Sequence, residues 1–561
     1  MCDPGITQVF DGGMPQALPH LPFNRTSTYL EMSDGIKLAI DVYLPREHAT
    51  GTSRLPTFLH FTRYRRAEKR SWLTRWFVLY GQPPQPTITL RSLRYIEHFV
   101  SDGYAFVTVD TRGAGASFGH KPVDMMPREV QDLREVSDWV MGQPFCDGNI
   151  ASGGISYDGM MAAAAAAQGN IKAVALVGFF GSLFEDIAAP GGLPASGFID
   201  SYAAFTSASE RNVPVRDPII RSQLPWNTFH LQEWLLDGTA PVNGDEEALQ
   251  AAVAEHAENY DMKQKSRHED ILCVDDVVVT HAREDYRWTD ISNPTTIARG
   301  LVEHKVSVSN WAGYYDSGSF RGSIRMHNDL LAAGGQSHLI AGPWSHGVRS
   351  SWTPQAGPEA TGPSFDLYAD VKRFVDCSLR GQHCGSTAEE GRATLPLQYF
   401  MSGGNGPDEW HAAKGTWPPQ RNNESVTWHD FWLHRHGVLA ENSCEGAGAT
   451  VLFDVSSSAT SGLVSRWNLV QALMLRSVTY SGVGSSSEDG SSMIFVGESV
   501  EIHNGAKNGV DMVGSALVEL MLSIKAPSDA QDAAIFVYLE DVAPDGTVHY
   551  VTEGQVRASH A

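Results

Sequence analysis

The stretch Asn149-Ile150-Ala151-Ser152-Gly153-Gly154-Ile155-Ser156-Tyr157-Asp158-Gly159-Met160-Met161-Ala162-Ala163-Ala164-Ala165-Ala166-Ala167 decides the fold. Its first seven residues form a short apolar run suited to a buried strand, and Met160 to Ala167, with its alanine run, reads as a helix. Ser156 sits at the junction. A serine where a strand turns at once into a helix has a strained backbone and projects its hydroxyl at the edge of the sheet, and small neighbours let strand and helix pack closely. A second string, Gly115-Ala116-Ser117-Phe118-Gly119, matches G-x-S-x-G literally, whereas Gly154–Gly159 carries its last glycine one position late. His120-Lys121-Pro122 follows Ser117 and cannot open a helix packed on the sheet. Ser156 is therefore the expected nucleophile.

Outward from this junction the chain alternates strands and helices. Residues 28–45 read as a strand pair turning at Ser33-Asp34-Gly35. Pro56–Phe61 and Tyr104–Asp110 are runs typical of strands buried on both faces of a parallel sheet. Apolar residues at 130, 133, 136, 139 and 140 have helical spacing. Lys172–Val177, Lys305–Ser309 and His338–Ala341 continue the strands. An α/β catalytic domain is expected over residues 25–185 and 296–385. Residues 186–295 interrupt it with helical patterns, strongest over Glu246–Tyr260, and read as a helical cap over the site. Residues 390–561 read as an all-β sandwich, with strands at Leu397–Met401, Ala516–Ile524 and Ala533–Val542 and serine-rich loops at 456–465 and 485–492.

The length of 561 residues exceeds what one compact core usually holds. With 42% apolar and 19% charged residues the chain is ordinary for a globular protein. Its formal charge of −23 would repel phosphate backbones and anionic bilayers, so neither nucleic acid nor a membrane is an expected partner. The six cysteines form no C-x-x-C pair. With no signal-like N-terminus, a cytoplasmic protein with reduced thiols is expected. There is no H-E-x-x-H and no phosphate-binding G-x-x-x-x-G-K-[ST]; neither a metal nor a cofactor is expected.

A serine hydroxyl needs a base to take its proton. In a sheet that presents its nucleophile this way, the acid and the base follow later strands, in the order Ser, Asp, His. Asp316 lies just past Val306–Gly313, and His346 lies in a Gly342-Pro343 loop after Leu339–Ala341. Asp110 reads as a loop-ordering carboxylate and Asp158 as a charge at a helix N-terminus.

The motif Gly154-Ile155-Ser156-Tyr157-Asp158-Gly159 resembles the elbow of cocaine-esterase-like hydrolases and X-Pro dipeptidyl-peptidases. So do Gln143–Gly148, Asp110-Thr111-Arg112-Gly113, Gly313–Asp316, Gly342–His346, the early Ser33–Leu38 and the late Val551–Ala558. The resemblance implies an α/β-hydrolase sheet with an inserted helical cap and a C-terminal jelly roll, and it supports Asp316 and His346. It also implies an oxyanion hole made from the Tyr157 N–H and the Tyr64 hydroxyl. Arg63 stands where a proline often precedes that tyrosine in the family. In the family further strands follow the segment matched by Thr552–Ala558. The jelly roll is therefore expected to be incomplete, whether truncated or repaired by a partner or by homo-oligomerisation.

The expected partner is a small-molecule acyl substrate, cleaved at an ester or amide through an acyl-enzyme. An acyltransferase using the same three residues and an X-Pro dipeptidyl-peptidase remain open; the latter needs carboxylates for a substrate's free amino terminus.

Overall fold

The computed structural model describes residues 23–46, 53–70, 93–213, 236–260, 273–348 (without 282, 292 and 317), 365–382, 395–401, 409–418, 430–434, 438–441, 496–497, 516–521, 532–542, 546 and 548–560. Ten strands form one sheet: β1 (Phe23–Glu31), β2 (Lys37–Pro45), β3 (Leu55–Thr62), β4 (Ala105–Asp110), β5 (Cys146–Ile155), β6 (Ile171–Val177), β7 (Ser307–Gly313), β8 (Gln336–Gly342), β9 (Leu397–Met401) and β10 (Glu409–Ala413). Their order is β1-β2-β4-β3-β5-β6-β7-β8-β9-β10. Pairing is parallel from β4 through β9 and antiparallel at both edges.

Alternation within the strands divides the core into two layers. Val174 and Leu176 of β6 face one layer, with α2 (Pro127–Met141), α3 (Tyr157–Ala166), α6 (Pro294–Glu303) and α7 (Ser319–Ala332). Ala173, Ala175 and Val177 face the other, with α1 (Leu93–Ser101) and α8 (Leu367–Arg380). Each fully buried large side chain in these layers contributes roughly 1.5–3 kcal/mol. Covering both faces in this way is what a parallel sheet requires.

Four expectations are corrected. The region 186–295 is not purely helical. Besides α4 (Ser196–Glu210) and α5 (Glu246–Glu255), it holds a hairpin, Val277–His281 with Glu284–Arg287, and a short strand, Leu236–Thr239, paired with Glu68–Arg70. The β-branched run Val277-Val278-Val279 favours strand over helix there. Leu397–Met401 belongs to the main sheet, where it pairs with β8 and extends that sheet to Ala413. Of the strand expected over Ala516–Ile524, residues 516–521 form no strand and are exposed, and 522–524 lie outside the described residues. Cys377 is disulfide-bonded, which departs from the expectation of reduced thiols; sequence spacing says little about where two Cβ atoms meet.

The described C-terminal pieces are a small sheet (Trp432–His434, Val438–Ala440, Val496–Gly497) and the hairpin β11 (Ala534–Val542) and β12 (Val548–Arg557). The hairpin reaches the cap, where Gln555 donates to the Pro190 carbonyl at 3.1 Å. The serine-rich segments 456–465 and 485–492 lie outside the described residues. Among the described residues no helix is long and apolar enough to cross a membrane.

Candidate active site

Ser156 caps α3 with φ 60° and ψ −124°, a conformation costing an L-residue about 1–3 kcal/mol. Two glycines make the turn fit. A Cβ on Gly154 would lie 2.3–2.6 Å from atoms of Asp158, and one on Gly159 would lie 2.9 Å from the Gly154 carbonyl. The close crossing of strand and helix therefore needs glycine at +3 from the serine, which explains why the motif departs from G-x-S-x-G. Ser117, in the literal match, is fully buried. Its hydroxyl donates to the Asp110 carbonyl at 2.6 Å and accepts from the Ala39 N–H at 2.8 Å, a structural role.

β5, β6, β7 and β8 are neighbours; Ser156 follows β5, Asp316 lies past the carboxyl end of β7 and His346 past that of β8. The Ser156 N–H donates to the Val177 carbonyl at 2.9 Å. The next residue, Gly178, has φ 54°, and a Cβ there would stand 2.8 Å from Asp316 Oδ2 and 3.1 Å from His346 Nδ1. Asp316 Oδ1 and His346 Nδ1 are 2.7 Å apart, and both residues are buried. Against this carboxylate Nδ1 carries the hydrogen, which leaves Nε2 as the basic nitrogen; among the described residues it has no hydrogen-bond partner. Phe180 stacks on the His346 ring with centroids 5.8 Å apart and also lines the pocket that contains Ser156.

That pocket has an empty volume of about 570 Å³. Its wall is mostly apolar, with Val123, Phe180 and Leu183 from the sheet side and Ile187, Trp288 and Ile291 from the cap region. Asp124 is the charged residue among the described ones lining it, and it is compensated. Arg63 Nη1 donates to Asp124 Oδ2 at 2.6 Å, and Lys121 Nζ lies 3.5 Å from Oδ1. Burial opposes the Asp124 charge, but these two cations override it and hold the carboxyl below its usual range.

Tyr157, the first residue of α3, has an N–H with no acceptor inside the helix. Its hydroxyl is anchored away from that end, accepting from the Met125 N–H at 3.0 Å and donating to Glu129 at 3.2 Å. Burial raises the Glu129 carboxyl above its usual value. The Tyr64 hydroxyl lies 2.7 Å from that of Tyr202, a pocket residue on α4. Asp110 orders its loop as expected, accepting from the Ala116 N–H at 2.9 Å, from the Arg66 N–H and from the Arg66 guanidinium at 3.1 Å. Asp158 does stand at the helix N-terminus, but it is fully buried and faces His60 Nε2 at 3.3 Å. His60 Nδ1 is 2.8 Å from the Gly153 carbonyl, which can only accept.

Sequence reading missed Tyr202, Asp124, His60 and Gly178, for which it held no signal. Arg63 was visible as a departure from the family's proline. Among the described residues, Cys273, Asp275 and Asp276 form a cluster of metal-ligating type near the surface.

The model of the X-Pro dipeptidyl-peptidase (S15) family matches residues 34–348, a span running from the first strand pair past His346. The chain belongs to this family. A Mycobacterium bovis protein provisionally named a serine esterase is 30% identical over 561 residues, covering 95% of the chain and 81% of the relative. The cocaine esterase of a Rhodococcus species is 25% identical over 545 residues, covering 95% and 82%. Among solved structures, a CocE/NonD family hydrolase from Staphylococcus aureus has 17% identity and a TM-score of 0.49, over 75% of the chain and 60% of that structure. As an S15 member with serine esterase relatives, the chain is a serine hydrolase built on the α/β-hydrolase fold.

Proposed function

We propose that this S15 hydrolase cleaves neutral, apolar carboxylic esters of small acyl groups through a Ser156–His346–Asp316 triad and an acyl-enzyme. Ser156 Oγ attacks the ester carbonyl carbon while His346 Nε2 takes its proton, with Asp316 holding the ring and stabilising the imidazolium. The Tyr157 N–H and the Tyr64 hydroxyl receive the charge that develops on the carbonyl oxygen. His346 then protonates the departing alkoxide. Water attacks the acyl-enzyme with its proton passing to the same nitrogen, and Ser156 is released. The reaction needs no cofactor.

The observation that carries this reading is the strained Ser156 elbow opening on an apolar pocket whose one charged wall residue among the described residues, Asp124, is already held by Arg63. An X-Pro dipeptidyl-peptidase must offer a carboxylate to a free ammonium group, and a carboxylate locked to a guanidinium is poorly suited to that.

A fluorophosphonate probe followed by peptide mapping is expected to label Ser156. Turnover is expected on p-nitrophenyl acetate and butyrate, with little on an Ala-Pro anilide. Labelling at another serine would refute the nucleophile; preference for the anilide would refute the substrate class. Faster ester consumption with added alcohol, yielding a new ester, would make the enzyme an acyltransferase.

A further inference from the structure

We propose that Tyr202, carried by the cap helix α4, is a positioning residue that donates its hydroxyl proton to Tyr64 and so turns the Tyr64 proton toward the oxyanion. This rests on the reading of Tyr64 as an oxyanion donor.

The two hydroxyl oxygens are 2.7 Å apart, and each phenol has a single proton, so one of them must donate to the other. If Tyr64 donated to Tyr202, it would have no proton left for the reacting carbonyl. Arg63 sets the direction. Its Nη1 is 3.5 Å from the Tyr202 oxygen, a long contact that orients charge more than it bonds. The guanidinium carbon lies 5.6 Å from the Tyr202 ring centroid and 4.9 Å from that of Tyr157. A cation beside the Tyr202 oxygen draws its lone pairs and pushes its proton to the far side, where Tyr64 accepts it.

Arg63 is itself fixed. It is buried, and it donates from Nη1 to Asp124 and from Nη2 to Glu210, each at 2.6 Å. Burial opposes its charge, but these acids keep it protonated well beyond an ordinary arginine. Glu210 closes α4, so one guanidinium grips the cap helix at its end and at Tyr202. Burial also pushes the Tyr202 hydroxyl up to about 12 and Tyr64 well above its ordinary value, so both protons stay in place through the working pH range. A hydroxyl that accepts one hydrogen bond is polarised to donate a stronger one. The residue that departs from the family's proline thus links cap seating to the oxyanion donor.

The test is a double-mutant cycle on p-nitrophenyl acetate with Tyr202→Phe, Tyr64→Phe and both together. Tyr202→Phe removes one oxygen and keeps the ring stacked on Phe198, whose centroid is 5.2 Å away. Its kcat is expected to fall roughly 5- to 30-fold with KM within about twofold, as for loss of a polarising hydrogen bond. Tyr64→Phe is expected to cost roughly 10²–10³ in kcat. With Tyr64 gone the relay has no endpoint, so the double variant is expected to match Tyr64→Phe. A second readout, inhibition by a short alkyl boronic acid, is expected to weaken in parallel with kcat; melting midpoints identify any variant that fails to fold. Wild-type kcat in Tyr202→Phe, or losses that multiply in the double variant, would overturn the relay while leaving Tyr64 as donor. Wild-type kcat in Tyr64→Phe would overturn the oxyanion reading itself, and a slow Tyr202→Phe beside it would make Tyr202 the direct donor.

Discussion

Replacing Ser117 and Ser156 in turn with alanine should give opposite signatures, because the structure places the two serines in opposite physical situations. Ser117 has no exposed surface, and its hydroxyl bridges the Asp110 carbonyl and the Ala39 N–H. Ser117→Ala leaves a buried acceptor and a buried donor without that bridge, at about 1–3 kcal/mol each, so a loss of roughly 2–6 kcal/mol is expected. The reacting groups are untouched. Asp110 still holds the loop through the Ala116 N–H and Arg66, so kcat should stay within about twofold of wild type. Ser156 donates no side-chain hydrogen bond among the described residues, and alanine there leaves the backbone turn as strained as before. Ser156→Ala should leave the unfolding midpoint nearly unchanged and lower kcat by roughly 10⁴–10⁶. The assay pairs p-nitrophenyl acetate turnover with urea unfolding of the same preparations. A folded but inactive Ser117→Ala beside an active Ser156→Ala would reverse the assignment. Full stability in Ser117→Ala would show that its bridge matters less than its burial implies.

Three further outcomes follow from the same geometry. Asp316→Asn keeps the shape of the 2.7 Å contact with His346 but favours the wrong ring tautomer, so kcat should fall roughly 10³–10⁴ with an unchanged melt; a loss under tenfold would contradict the role given to Asp316. Gly159→Ala puts a methyl 2.9 Å from the Gly154 carbonyl and should cost about 1–3 kcal/mol and lower the titratable fraction of active serine; a wild-type melt and titration would show that the elbow can yield. His327 is buried, with Nε2 donating to the Gly415 carbonyl at 3.2 Å and Nδ1 accepting from Ser337 at 2.9 Å, and burial lowers its pKa from 6.5 to about 4. Below pH 6.5 the unfolded chain takes this proton first, so stability should fall until about pH 4, by an amount on the order of 3 kcal/mol; His327→Gln should flatten that slope in urea melts, and an unaltered slope would assign it elsewhere.

What the sequence made legible was local. The elbow could be read because its requirements are met within eleven residues: an apolar run, a serine, small residues at fixed offsets and a helix former. Asp316 and His346 could be placed because each closes a strand of its own. The cap hairpin Val277–Arg287 was hidden inside a region dominated by helical patterns, and a three-valine run was too short to overrule them. Leu397–Met401 was correctly read as a strand but joined to the wrong layer. Its apolar residues meet Leu339 and Ala341 across a parallel pairing, and no local pattern encodes a partner some sixty residues away.

The groups around Ser156 show why the rest of the site was not legible. Asp124, Asp158, Glu129 and Glu210 would read separately as surface acids, yet Asp158, Glu129 and Glu210 are buried and Asp124, half-buried, lines the pocket. Four bare carboxylates there would oppose an oxyanion forming beside them. Asp124 and Glu210 share Arg63 and Lys121, Glu129 accepts from the Met125 N–H and the Tyr157 hydroxyl, and Asp158 faces His60 Nε2 at 3.3 Å. Those partners come from β3 and the residue that follows it, from the loop before α2 and from α3, and the contacts of Arg63 and His60 span 61 to 147 residues of sequence. Pairing at that range leaves Asp124, the charged residue among the described ones lining the pocket, already matched by two cations, which fits an uncharged ester better than a substrate bearing an ammonium group. A sequence displays charges one at a time, whereas the field at Ser156 depends on which of them the fold has already paired.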